Sequence, residues 1–118
     1  MANLDDWNMD VANYFAQVEG IDMSDQTPKI LTTLYDFLPA DAIFNVTPVG
    51  TAQNPLTTMG MILGGCIRVG LEDNIIYRKG ELATNAQLVA RAVRIARELG
   101  KEPATPDEAR KILGLKPL

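Results

Sequence analysis

Gly64-Gly65-Cys66-Ile67-Arg68-Val69-Gly70-Leu71-Glu72-Asp73-Asn74 is the stretch around which the chain is organised. Ile67, Val69 and Leu71 alternate with Arg68, Gly70 and Glu72, the period of two that marks a strand with one face in a core. Read this way, Arg68 and Glu72 share the opposite face, Gly70 leaves an open space between them, and Asp73 follows where the strand enters its loop. An isolated charge aimed inward is costly to desolvate, so the row is expected to be paired, metal-bound or open to a ligand.

Working outward from that strand, helical stripes lie on either side of it. Upstream, residues 51–55 (Thr-Ala-Gln-Asn-Pro) read as a cap followed by proline, and Leu56, Met59, Ile62 and Leu63 form an apolar stripe that Gly64 and Gly65 end. Before it, residues 43–50 read as a strand with Pro48 near its end. Thr27-Pro28 starts an earlier helix with Ile30, Leu31, Leu34, Phe37 and Leu38 on one face and Pro39 as its stop. Residues 13–21 read as the first strand, with a helical turn through Val11 and Phe15 as the alternative, and the acidic residues 1–12 as a lead-in. Downstream, residues 74–83 read as a long loop. Thr84 and Gln87 then form a capping box, with Leu88, Val89, Ala92, Val93, Ala96 and Leu99 facing inward and Gly100 as the stop. Arg91, Arg94 and Arg97 read as a solvated face of that helix, with a phosphate or CoA contact as the alternative. Thr105 and Pro106 begin a last helix that ends at Gly114.

The fold class expected is therefore α/β, a single domain over 1–118 with three βα units over 13–100 and a terminal helix and tail over 101–118. Alternation of strand and helix implies parallel strands with right-handed crossovers. In such folds ligands lie at the carboxyl ends of the strands, where Arg68, Glu72 and Asp73 fall. Thr47, at the end of the strand over 43–50, is the further candidate for substrate contact, with a local backbone role as the alternative.

Composition narrows the partners. A net charge of -4 with mixed signs argues against nucleic acid or an anionic membrane, since both need a concentrated basic face. No apolar run is long enough to span a bilayer and the N-terminus lacks the plan of a signal peptide, so a cytoplasmic location is expected. The single cysteine, Cys66, excludes an internal disulfide and reads as a small buried residue. The absence of histidine removes the commonest general base and the commonest metal ligand.

The opening stretch, together with Lys79-Gly80-Glu81-Leu82-Ala83-Thr84-Asn85-Ala86-Gln87-Leu88-Val89, Arg94-Ile95-Ala96-Arg97-Glu98-Leu99-Gly100 and Ala104-Thr105-Pro106, resembles the C-terminal part of the β-keto acid cleavage enzymes, the 3-keto-5-aminohexanoate cleavage enzyme family. The resemblance implies a (β/α)8 TIM barrel of which this chain supplies the last three units. It implies a zinc-dependent transferase in which a β-keto acid and acetyl-CoA give acetoacetate and a new acyl-CoA. Glu72 would then be the carboxylate ligand of Zn2+, Asp73 the acid/base group, and Arg68 the cation that stabilises negative charge on the keto acid or its enolate.

The chain departs from that pattern in ways with physical consequences. The family's zinc also takes a His-x-His pair from an early strand, and this chain has no histidine. Cys66 stands where the family has histidine, and residues 47–51 (Thr-Pro-Val-Gly-Thr) replace a Gly-x-Gly turn and its following arginine. The site is therefore expected to be incomplete in this chain alone, so that the chain oligomerises or is complemented by an N-terminal barrel half. The alternative is a non-catalytic truncated remnant acting as an associating domain.

Overall fold

The computed structural model describes residues 26–117. The lead-in over 1–12 and the strand expected over 13–21 lie outside the described residues. The described residues fall into two units, divided between Leu38 and Pro39.

In the first unit, helix α1 spans Pro28–Asp36. Thr27 caps it as expected, its hydroxyl accepting from the amide of Ile30 at 3.2 Å, and proline occupies the first turn, where no intrahelical donor is lost. Ile30 is buried.

The second unit is mixed α/β. Strand β1 (Asn45–Val46) pairs in parallel with β2 (Cys66–Ile67), with Asn45 opposite Cys66 and Val46 opposite Ile67. The connecting segment carries a 3-10 turn (Gly50–Ala52) and helix α2 (Gln53–Ile62). The parallel pairing expected from the alternation of elements is thus present in this sheet, though its strands are far shorter than the expected 43–50 and 64–74. Arg68 still donates its amide to Val46 O at 3.1 Å, and there the ladder ends. Helix α2 lies directly on the pair. A Cβ at Gly60 would come within 2.8 Å of Val46 Cγ2 and 3.3 Å of Ile67 Cγ2, so the sheet and the helix meet through a residue with no side chain.

The start and stripe of α2 differ from the sequence-based expectation. Its N-cap is Ala52, without a side-chain cap bond, because the preceding 3-10 turn already engages the first amides. Gln53, Leu56, Thr57, Gly60 and Met61 are buried, while Ile62 is 61% exposed. Gln53, Thr57 and Gly60, at i, i+4 and i+7, share the buried face, which therefore runs one position off the stripe read from the large apolar residues.

Residues 74–83, expected to be a loop, hold an antiparallel hairpin instead. Strand β3 (Ile76–Arg78) pairs with β4 (Glu81–Leu82), and Gly80 takes the left-handed conformation of its turn at φ 80. Helix α3 (Asn85–Glu98) follows with the expected capping box of Thr84 and Gln87 complete in both directions, at 3.1 and 2.9 Å. It packs on α2. Leu88 is its buried anchor at 1% exposure, whereas Val89 and Leu99, expected inward, are exposed. Helix α4 (Pro106–Ile112) repeats the device with Thr105 and Glu108. Among the described residues no helix is long and apolar enough to cross a membrane.

Candidate active site

The segment after β2 is a turn rather than a continued strand, and this decides the site. At Gly70 the chain takes φ 154, and its carbonyl accepts from the amides of Asp73 at 3.2 Å and Asn74 at 3.1 Å. In an extended strand Glu72 and Asp73 would point to opposite faces. The turn brings both to the same guanidinium: Arg68 Nη2 lies 3.2 Å from Glu72 Oε1, and Arg68 Nε lies 3.0 Å from Asp73 Oδ2. Gly70 is required for this closure. A Cβ there would stand 2.5 Å from both carboxylate oxygens of Glu72.

Three non-local contacts hold the turn. The Gln53 amide donates Nε2–H to Gly70 O at 3.3 Å, the Gly50 amide donates to Asp73 O at 2.7 Å, and the Leu71 amide donates to Asn85 Oδ1 at 2.9 Å. The starts of α2 and α3 therefore grip the turn from both sides. Sequence reasoning missed the part that Gln53 and Asn85 play here. The one available signal was a glutamine at a position that helical spacing places on the buried face.

Two acceptors on these side chains lack a donor. Gln53 is 1% exposed and its Oε1 is buried without a hydrogen bond. Asp73 Oδ2 is also buried, and the Arg68 Nε contact supplies charge without an aligned N–H. Buried acceptors without partners are rare in folded proteins, and an oxygen in this state has a lone pair free for a proton or a polar hydrogen. Arg68 and Glu72, by contrast, are half exposed, at 49% and 52% of their side chains. The pair of charged groups thus opens to solvent on one side and holds a shielded carboxylate oxygen on the other.

The other candidates fall elsewhere. Thr47 is exposed, and its hydroxyl accepts from Asn45 Nδ2 at 2.9 Å, one residue beyond β1. Cys66 is exposed rather than buried, because its position in β2 faces away from α2. Among the described residues no group of three or more Cys, Asp or Glu side chains is gathered to hold a metal, and the chain has no histidine. Glu72 is the one expected ligand present here, and its carboxylate is turned to Arg68. One carboxylate does not make the four-coordinate site that zinc takes, so the donor set of the described residues does not fit that ion by itself.

The pattern of the family described as beta-keto acid cleavage enzyme matches residues 9–115, through α1, both sheets and the turn. The chain belongs to the beta-keto acid cleavage enzyme family. It is 43% identical over 104 residues to a 3-keto-5-aminohexanoate cleavage enzyme of Fusobacterium nucleatum, covering 87% of this chain and 38% of the relative. It is 44% identical over 90 residues to the enzyme of the same name from Acetoanaerobium sticklandii, covering 75% and 33%. A 3-dehydrocarnitine:acetyl-CoA trimethylamine transferase of Rhizobium meliloti is 38% identical over 78 residues, covering 66% and 26%. The chain thus spans less than two fifths of the length of these curated relatives. Within this family, the relatives' names describe cleavage and transfer reactions, several of them with acetyl-CoA as the second substrate.

Proposed function

We propose that this member of the beta-keto acid cleavage enzyme family supplies the arginine and carboxylate end of a site that exchanges acyl groups between a β-keto acid and acetyl-CoA, giving acetoacetate and an acyl-CoA. The observation that carries this reading is the turn that collects Arg68, Glu72 and Asp73 on one spot, with Asp73 Oδ2 shielded and 3.0 Å from Arg68 Nε. Carbon–carbon cleavage next to a ketone develops negative charge on oxygen. Arg68 has five N–H donors, of which Nε and one on Nη2 face the two carboxylates, so others are free to meet that charge or the substrate carboxylate. Asp73 would move the proton at Oδ2, and Thr47 would contact substrate from the end of β1.

Zinc would supply Lewis-acid polarisation of the ketone. Glu72 would be its ligand from this chain, with a His-x-His pair brought by barrel strands outside it. In this reading residues 1–118 form the last three units of a (β/α)8 barrel, with residues 1–12 as lead-in, and work in the cytoplasm with a complementing half or within an oligomer. The short parallel pair supports this, as do the exposed apolar side chains Ile43, Val49, Leu71 and Ile75 of the second unit.

The test is acetoacetate formation from zinc, acetyl-CoA and short β-keto acids. The chain alone is expected to be inactive, and the chain co-expressed with five βα units carrying the histidine pair is expected to turn over. Removing one group that stabilises an oxyanion costs about 10²–10³ in kcat, so Arg68→Ala should lose activity on that scale. Undiminished turnover in Arg68→Ala would sink the assignment.

The same exposed apolar side chains favour a second reading, a non-catalytic remnant that serves as an associating domain. It predicts self-association with no product even when complemented, and a monodisperse, cooperatively melting monomer would count against it.

A further inference from the structure

We propose that Arg91 and Arg94, assembled around Tyr77, and the exposed Lys79 two residues further along the hairpin bind the phosphate groups of CoA; the choice of CoA rests on the function proposed above, while the phosphate chemistry stands on the arginines held by the tyrosine. In a chain of net charge -4, this spot is cationic. The Arg91 guanidinium lies over the Tyr77 ring at 4.4 Å from its centroid and donates Nη1–H to Tyr77 O. Arg94 Nη2 donates to the Tyr77 hydroxyl at 3.1 Å. Arg78 sits 5.1 Å from the centroid of the same ring and is neutralised by Glu81 at 2.9 Å. Lys79 follows Arg78 in the hairpin and is exposed. Among the described residues no carboxylate lies within ion-pair distance of Lys79, Arg91 or Arg94.

The tyrosine makes the cluster a preorganised one. Stacking and the bond to a backbone oxygen fix the plane of Arg91, so little side-chain freedom remains to be lost on binding, and the planar fork suits the oxygens of a phosphate. Arg91 is thereby anchored, contrary to its reading as part of a solvated helix face, and Arg94 and Lys79 project the free charge.

The placement suits an extended co-substrate. Asn85 opens α3 and holds the acidic turn through Leu71, while Arg91 and Arg94 lie six and nine residues further along the same helix. At 1.5 Å per residue these are about 9 and about 14 Å down the axis from the grip on the turn. The acidic turn and the arginines thus lie at different levels of one helix, an arrangement that suits a co-substrate whose phosphates sit at the far end of a flexible arm.

The experiment is calorimetric titration of the full chain with CoA, dephospho-CoA, pantetheine and inorganic pyrophosphate at low salt. CoA and pyrophosphate are expected to bind and pantetheine not to. Arg94→Gln and Lys79→Gln replace exposed side chains, so folding judged by circular dichroism should be unchanged while CoA affinity falls about tenfold in each. Arg91→Lys keeps the charge and removes the fork, and is expected to weaken CoA as well. Equal binding of pantetheine and CoA, unchanged CoA affinity in the Arg94→Gln, Lys79→Gln double variant, absence of CoA binding, or pyrophosphate binding without CoA binding would each overturn the assignment. Phosphate binding without acetoacetate formation from the complemented protein would leave this site standing and remove the catalytic reading. Turnover with an unaltered KM for acetyl-CoA in the double variant would do the reverse.

Discussion

Helix α3 and the turn over residues 70–73 adjoin each other through Asn85, yet they are built on opposite principles. The helix is held by its own neighbours in sequence: Thr84 and Gln87 cap it reciprocally, and Gly100 ends it at φ 75. The turn is held by Gln53, Gly50 and Asn85, which come from other elements. Local devices make an element robust and legible. Distant ones make the candidate site depend on packing, so damage far from Arg68 in sequence, at Gln53 or Asn85, should reach it while loss of the Thr84 cap should not.

The comparison breaks most directly at Gly70. Gly70→Ala puts a Cβ 2.5 Å from the Glu72 carboxylate in a backbone conformation that L residues resist, and should cost up to about 3 kcal/mol of stability. The Arg68 guanidinium resonances should move with it, since Glu72, which meets Nη2, must swing away; unmoved resonances at wild-type Tm would show that the turn does not depend on this glycine. Gln53→Ala acts from α2. It removes a buried side chain and its bond to Gly70 O, which should cost about 2 kcal/mol. Amide exchange at Asp73 and Asn74 should speed up more than in α3, and uniform acceleration across both regions would erase the distinction drawn here.

On the helical side the effects are smaller. Thr84→Ala should cost about 1 kcal/mol by denaturant titration and leave the Arg68 resonance in place, because the capping box touches the turn only through the position of Asn85. Arg97→Ala removes a pair with Glu102 whose side chains are 60% and 71% exposed, and should cost no more than about 0.5 kcal/mol, less at high salt. A larger loss there would mean that surface charge, rather than the cap, sustains the helix.

These cases show why some of the molecule was readable and some was not. The capping box at Thr84, the helix start at Thr105-Pro106, the proline start at Pro28 and the glycine stops follow from rules that span four or five residues, and all appear where the sequence puts them. The hairpin over 76–82 escaped because its alternation is only three residues long before Lys79-Gly80. The inward stripe of α3 included Val89 and Leu99 because periodicity reports which residues are apolar, and not which of them a partner element covers.

By itself, then, the sequence determined the mixed α/β class and most helix limits, because each rests on short-range periodicity, capping or composition. That Asp73 as well as Glu72 meets Arg68, that Gln53 grips the turn, and that Tyr77 gathers Arg91 and Arg94 were decided only by the tertiary structure. The physical reason is the same in each case. A strand period assigns neighbouring residues to opposite faces, and only contacts from elements far away in the chain supply the energy to bend it and put them on one.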